Sequence, residues 1–236
     1  MSRPTLNWKG ASSTGITGLI ISTLPAITKP PIRATTVEIP GRDGSLVDED
    51  GYGSYTKTVR IGLTPAADID EVIKFFTGSG NLIMSNEPTR VYRAAIYDQI
   101  DYEALLRFKT ADIEFLVQPF KYLAGETATT QAVTGGSPSE MDVFNYGLED
   151  SRPLITIEGS GQVILTVGGN LVCELDIDDD EITIDSEAQD AYNDNGLLNN
   201  KMTGAFPILA PGENTIAWSG TGSVTSVSVL PRSRWL

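Results

Sequence analysis

The densest group of chemistry-bearing side chains is the acidic run Asp176–Glu187, DIDDDEITIDSE. Asp176, Asp178 and Asp180 take positions 1, 3 and 5 of a calcium loop, and Glu187 takes position 12. Position 6 is Glu181, where the sharp turn of such a loop needs glycine, and the flanks LVCEL and ITID have strand character. The run therefore reads as a β-hairpin with a charged tip, Ile182 and Ile184 pointing inward, and not as a metal site. Asp48-Glu49-Asp50-Gly51 reads in the same way, as a solvated hairpin tip joining Leu46 to a strand that starts at Tyr55. Gly41-Arg42-Asp43-Gly44 brackets a charged pair with glycines. It lacks the Lys-Ser/Thr pair and following helix of a phosphate loop, so it is expected to be a tight turn with positive φ. Trp8, Trp218 and Trp235, with eight tyrosines, offer stacking surfaces for a sugar, but Trp218 alternates with Ile216 in TIAWSG and is expected in a core.

The absences exclude more. The 236 residues include no histidine, which removes Ser-His-Asp and Cys-His catalysis and every His-containing zinc site. Cys173 is the single cysteine, so there is neither an intrachain disulfide nor a CxxC motif. The 31 acidic residues include any number of carboxylate pairs, but nothing singles out two that flank a substrate. No catalytic residue, cofactor or metal is assigned. The net charge of −14 is uneven: up to Gly125 there are 13 basic and 14 acidic residues, and beyond it 4 and 17. Phosphate backbones need clustered Lys and Arg, so nucleic-acid wrapping is excluded. No stretch reaches the ~20 apolar residues of a membrane helix, and the run Gly15–Ile27 reads as a strand with its turn and not as a signal peptide.

The elements that hold these residues are mostly strands, as 23 glycines and 13 prolines suggest. In Tyr55–Leu63, Tyr55, Val59, Ile61 and Leu63 fall on one face with Thr56, Thr58 and Arg60 on the other. Thr110–Val117 alternates likewise. One helix is expected at about 66–77, begun by Thr64-Pro65, with Asp68, Asp70 and Glu71 in its first turns, an apolar stripe Ile69, Val72, Ile73 and Phe76, and Gly78 and Gly80 at its end. Asn81–Ser85, Arg90–Tyr97 and Tyr102–Lys109 read as strands. Ala124–Pro138 is either a linker or a first strand between loops. Beyond it, turns such as Gly159–Gly161, Gly168-Gly169-Asn170 and Pro211-Gly212 separate short strands at Leu154–Ile157, Gln162–Val167, Leu171–Ile177, Ile182–Asp185, Thr215–Trp218 and Thr225–Leu230. That spacing indicates an antiparallel sandwich or jelly roll. The expected division is 1–125 and 126–236.

Four segments in order resemble the distal tail protein (Dit) family of siphophages: LPAITKPPIRATTVEIPGRDGSL at Leu24–Leu46, ADIEFLVQPFKY at Ala111–Tyr122, the stretch Glu181–Leu209, and APGENTIAWSGTGSVTSVSVLPRSRWL from Ala210. The resemblance implies a mainly β protein. Its N-terminal β-sandwich-like domain, with one α-helix and a projecting hairpin, forms a hexameric ring, and its C-terminal domain is a galectin-like, jelly-roll β-sandwich. The implied role is structural. The ring joins the tail tube to the tip or baseplate, leaves a central channel for DNA, and offers a docking platform for host-adsorption proteins. Implied partners are further copies of the chain, the tail tube protein, a tail-associated lysin-type tip protein and a receptor-binding protein. DNA only passes through, and no membrane is entered. The place implied is the virion tail tip, assembled in the bacterial cytoplasm. Arg42, Asp43, Asp48, Tyr52 and Tyr55 are expected at the oligomer interface or its turns, and Trp235 at an interdomain or terminal contact. The alternative is a carbohydrate- or cell-surface-binding β-sandwich module.

Overall fold

The computed structural model describes residues 3–98, 105, 107–136, 138–178 and 180–236. The chain forms two compact units, Met1–Ala124 with Leu236, and Gly125–Trp235.

The first unit contains β1 (Leu6–Trp8), β2 (Ala11–Ser12), β3 (Leu19–Thr23), β4 (Ile32–Glu38), β5 (Ser45–Tyr52), β6 (Tyr55–Leu63), α1 (Ile69–Phe75), β7 (Gly78–Met84), β8 (Glu87–Ile96) and β9 (Thr110–Leu123). Its main sheet has the order β2-β1-β7-β8-β9-β6-β3, antiparallel at each of these pairings. The alternation of β6 and β9 sends Val59, Ile61, Ile113, Phe115 and Val117 into one core, each at most 1 % exposed. Phe115 meets Trp8 and Phe76 edge-on, with ring centroids 5.1 and 6.2 Å apart. Helix α1 begins at Ile69, three residues later than the expected 66, with Asp70 and Glu71 in its first turn. Asp68 is the N-cap, accepting from the N–H of Asp70 at 3.0 Å and of Glu71 at 3.4 Å. Val72 within it and Phe76 at its C-cap are buried.

One local expectation fails here. Of the strand expected at Tyr102–Lys109, residues 102–104 and 106 lie outside the described residues, and Leu105, Arg107 and Phe108 are helical. Lys109 N–H donates to Leu105 O at 3.1 Å. The run Glu-Ala-Leu-Leu-Arg consists of strong helix formers, and Leu105 is fully buried. Pro119 lies inside β9, where the register against β8 shifts between Tyr92 and Ala94. A bulge is one of the few places inside a sheet that tolerates a residue without an N–H.

The second unit contains β10 (Thr129–Ala132), β11 (Glu140–Asn145), β12 (Leu154–Val167), β13 (Asn170–Ile177), β14 (Glu181–Asp185), β15 (Asp190–Asn193), β16 (Gly196–Leu197), β17 (Met202–Gly204), β18 (Gly212–Ser219), β19 (Ser223–Leu230) and β20 (Arg234–Trp235). It is a β-sandwich organised around β12. The first half of β12 pairs with β14 and β19, and its second half with β13 and β18. Gly159–Gly161 is thus not a turn between two strands but a bend that carries one strand from sheet to sheet. Glycine is required there by close approach: a Cβ on Gly159 would sit 2.1 Å from Ser223 O, and Gly161 has φ +81°. Ile155, Ile157, Leu165, Ile182, Ile184, Ile216, Val227 and Val229 fill the space between the sheets, all fully buried. Trp218 joins this core at 6 % exposure. The stretch after Ala124 supplies β10, so it is a first strand between loops and not a linker.

Candidate interface elements

The feature that sets this molecule apart from a self-sufficient pair of domains is a ribbon of two strands. β4 and β5 pair with each other alone among the described residues. Every residue of both strands is exposed except Tyr52. At ~3.3 Å per residue the ribbon is about 25 Å long. Its sequence is not that of a solvated hairpin. Ile32, Val37, Ile39, Leu46 and Val47 are 43, 51, 42, 54 and 56 % exposed, and neither core includes any of them. Val37 stands directly opposite Leu46, and Thr36 opposite Val47, so both faces of the ribbon carry apolar groups. An isolated two-stranded hairpin is marginal in water, and exposed apolar surface of this kind marks an interaction site.

One expectation about this segment holds and one needs correction. The hairpin tip is Ile39–Gly44, with Arg42 N–H donating to Ile39 O at 3.1 Å and Gly41 and Gly44 at φ +83° and +82°. Asp48-Glu49-Asp50-Gly51 is no tip; it lies along β5, with Asp48 opposite Thr35 and Glu49 opposite Ala34. The turn-like signal of Asp50-Gly51 has a physical origin. The register shifts at this point, and Gly51 at φ +91° supplies the left-handed residue that a glycine bulge uses. Arg33 and Thr35 hold the bulge, donating to Asp50 O and Asp50 Oδ2, both at 3.0 Å. Arg42 and Asp43 therefore sit at the tip and Asp48 midway along the ribbon. Tyr52 is at the root, edge-on to Phe120 with centroids 6.0 Å apart.

The root is fixed by a buried polar group that the sequence reading passed over. The parity that sends Val59 and Ile61 inward sends Lys57 inward as well, and it is 2 % exposed. Its ammonium donates to Ala26 O at 3.0 Å and lies 5.4 and 5.0 Å from the ring centres of Tyr55 and Tyr92. Beside it Lys121 pairs with Glu87 at 3.0 Å, and the Tyr92 hydroxyl donates to the other Glu87 oxygen. Asn86 donates to Pro25 O at 3.0 Å. Lys57 of β6 and Asn86 of the turn between β7 and β8 thus hold the segment that leads from β3 into the ribbon. Burial pulls the Lys57 ammonium below the usual lysine range, partly offset by Glu87. Burial, with Glu87 adding to it, pushes the Tyr55 hydroxyl up to about 12. Tyr55 accordingly belongs to this buried cluster and not to the ribbon. Its hydroxyl has no hydrogen-bond partner among the described residues.

In the second unit the acidic run does not form the expected hairpin: β13 pairs with β12 and β17, while β14 pairs with β12 and β15. The run carries the chain from one sheet to the other, and only the inward placing of Ile182 and Ile184, both fully buried, is as expected. Four of its carboxylates are spent on cations of the same unit. Lys201 pairs with Asp176 at 3.3 Å and with Asp178. Arg232 grips Asp185 through two nitrogens at 2.6 and 2.9 Å and reaches Glu187 at 3.4 Å. Burial works to raise the Asp185 carboxyl, but the bonds from Arg232 and from the N–H groups of Ala188 and Glu187 outweigh it and hold the carboxyl below the usual range. Trp235 is half-buried in β20. Its neighbour Arg234 accepts on its carbonyl from the N–H groups of Leu148 and Glu149 at 3.1 and 3.3 Å.

A comparison with solved structures resolves what kind of fold this is. The SPP1 Dit protein (gp 19.1), described as a paradigm of the hub adsorption apparatus in phages that infect Gram-positive bacteria, superposes with a TM-score of 0.69 at 15 % identity. The match covers 97 % of this chain and 98 % of that one. The chain has the Dit fold. A chain of the phage P2 baseplate in its calcium-activated conformation is a second neighbour, with a TM-score of 0.53 at 13 % identity over 97 % of this chain and 98 % of its own length. No family model and no curated protein matches the sequence. The likeness between the SPP1 Dit protein and this chain therefore resides in the fold, over 97 % of this chain. No helix among the described residues is long and apolar enough to cross a membrane.

Proposed function

We propose that this chain is the distal hub of a phage tail. Copies of the first unit close into a ring of six that joins the tail tube to the tip, around a channel through which DNA passes. The second unit, galectin-like in this reading, offers the docking platform for a tail-tip protein and for host-adsorption proteins. The work is mechanical, with no catalytic step, and its place is the virion. The observation that carries the reading is the ribbon β4–β5, whose apolar faces lie outside both cores. A neighbouring subunit in a ring covers such a surface, and a closed ring of head-to-tail contacts does so without growing a filament. The Dit fold supports the kind of assembly. The alternative of a sugar-binding module is weakened because Trp8 and Trp218, two of the three tryptophans offered for stacking, are buried at 1 and 6 % exposure.

The test is solution mass by light scattering after gel filtration, with electron micrographs of the main peak. A particle of about six times 25.3 kDa with a central hole is expected. A monomer at every concentration, and in the presence of the tube and tip proteins encoded beside it, overturns the reading.

A further inference from the structure

The second unit carries 17 acidic residues against four basic ones, and three of the four are engaged internally. Lys201 and Arg232 hold the carboxylates described above, and Arg234 Nε donates to Asp150 O at 2.5 Å. The surface left over is strongly anionic and attracts cationic partners. On it lies one apolar strip. Phe144 of β11, with Tyr146 and Leu148 following at alternate positions, are 47, 61 and 77 % exposed. The two rings stack at a tilt, 4.8 Å between centroids. Glu140 and Asp142 continue the same face of the strand, and Glu213 on β18 stands opposite Phe144.

The strip lies on an open edge. Among the described residues β11 pairs with β18 and no other strand. Trp218 N–H donates to Ser139 O at 2.9 Å. In an antiparallel pair that alternation places Met141, Val143 and Asn145 in the hydrogen-bonded positions and turns the backbone of Glu140, Asp142 and Phe144 outward. Open edges are commonly blunted by lysine, proline or a bulge. β11 has none of these: its register against β18 is unbroken, and its charges are two carboxylates. Those carboxylates repel an acidic strand and admit a basic one.

We propose that β11 is a docking edge for an extended, basic segment of another protein, which adds to the sheet as a further strand. Its backbone pairs with Glu140, Asp142 and Phe144, its alternate Lys or Arg side chains face Glu140, Asp142 and Glu213, and an apolar side chain covers Phe144 and Tyr146. The proposal rests on the hub reading and deepens it by naming the chemistry of one docking partner.

The probe is a capped ten-residue peptide of alternating Lys and Val, titrated onto the full-length protein by fluorescence anisotropy. Saturable binding is expected, falling at least ~10-fold in F144S/Y146S, as for an aromatic anchor of an interface. It is also expected to fall in E140K/D142K, to vanish when the peptide is N-methylated at alternate residues, and to be absent for a Glu–Val peptide. All four positions are exposed, so these variants fold. The proposal is overturned by no saturable binding up to about 1 mM. Binding indifferent to F144S/Y146S or to N-methylation, which is adsorption to an anionic surface, overturns it too. A drop in the mass of the protein alone in F144S/Y146S also overturns it, because the edge then takes a second copy of the chain. Mass is read on the same samples, so a ring that fails to bind the peptide refutes the docking edge and leaves the hub standing, whereas a permanent monomer refutes the hub.

Discussion

Removing the cross-strand pair Val37 and Leu46 from the ribbon is expected to weaken ring assembly without touching the fold. Burying a whole Val or Leu side chain is worth ~1.5–3 kcal/mol. The two are 51 and 54 % exposed, so about half of that, or ~1 kcal/mol each, is still to be gained when a neighbour covers them. V37S/L46S therefore loses ~2 kcal/mol per subunit contact, about a 30-fold fall in its association constant. Neither residue belongs to a core, so the thermal midpoint of the subunit is expected to move little. Sedimentation velocity over a dilution series gives the association constant, and circular dichroism gives the melting curve. V47S probes the opposite face of the ribbon and reports whether one or both faces are covered. An association constant within threefold of the parent in both variants, with the ring still present, refutes the claim that the ribbon is an assembly surface.

Three further outcomes follow from the second unit and its neighbours. G159A places a methyl group where Ser223 O lies 2.1 Å away, and is expected to cost ~3 kcal/mol or more, measured by urea unfolding of the full chain. Cys173 is 1 % exposed and burial pushes its thiol up to about 12; iodoacetamide at pH 8 should leave the native protein unmodified and label it at once in denaturant. For Asp185, a folded-state pKa below the unfolded one gives stability that is present above the ordinary carboxylate pKa and lost as pH falls through the depressed value. R232M is accordingly expected to be destabilised by ~2 kcal/mol at pH 7, and the gap to the parent should narrow as the pH falls below 3.8; parallel stability curves would contradict the assignment.

How much of this was legible in the sequence depended on whether a residue faced a core. β6, β9 and α1 could be read because one side of each is buried, and burial imposes a period on the residue types. The ribbon has no buried side, so its sequence carries no period. Asp50-Gly51 then looked like a turn because a bulge and a turn ask glycine for the same backbone conformation. Gly159–Gly161 misled for the opposite reason, since a strand that changes sheets needs small residues just as a chain reversal does. Lys57 was legible in principle: it occupies an inward position of a correctly assigned strand, and only its charge argued against following the parity. Tyr102–Lys109 was read as a strand, whereas helix propensity was the better guide to Leu105, Arg107 and Phe108.

The shared strand β12 has a mechanical meaning. Two sheets joined only by loops can slide over one another or melt one at a time. Here Leu154–Val167 is hydrogen-bonded to β14 and β19 along one half and to β13 and β18 along the other, so neither sheet can be stripped off without pulling on the other. The second unit should yield to load in a single event and bear it rigidly until then.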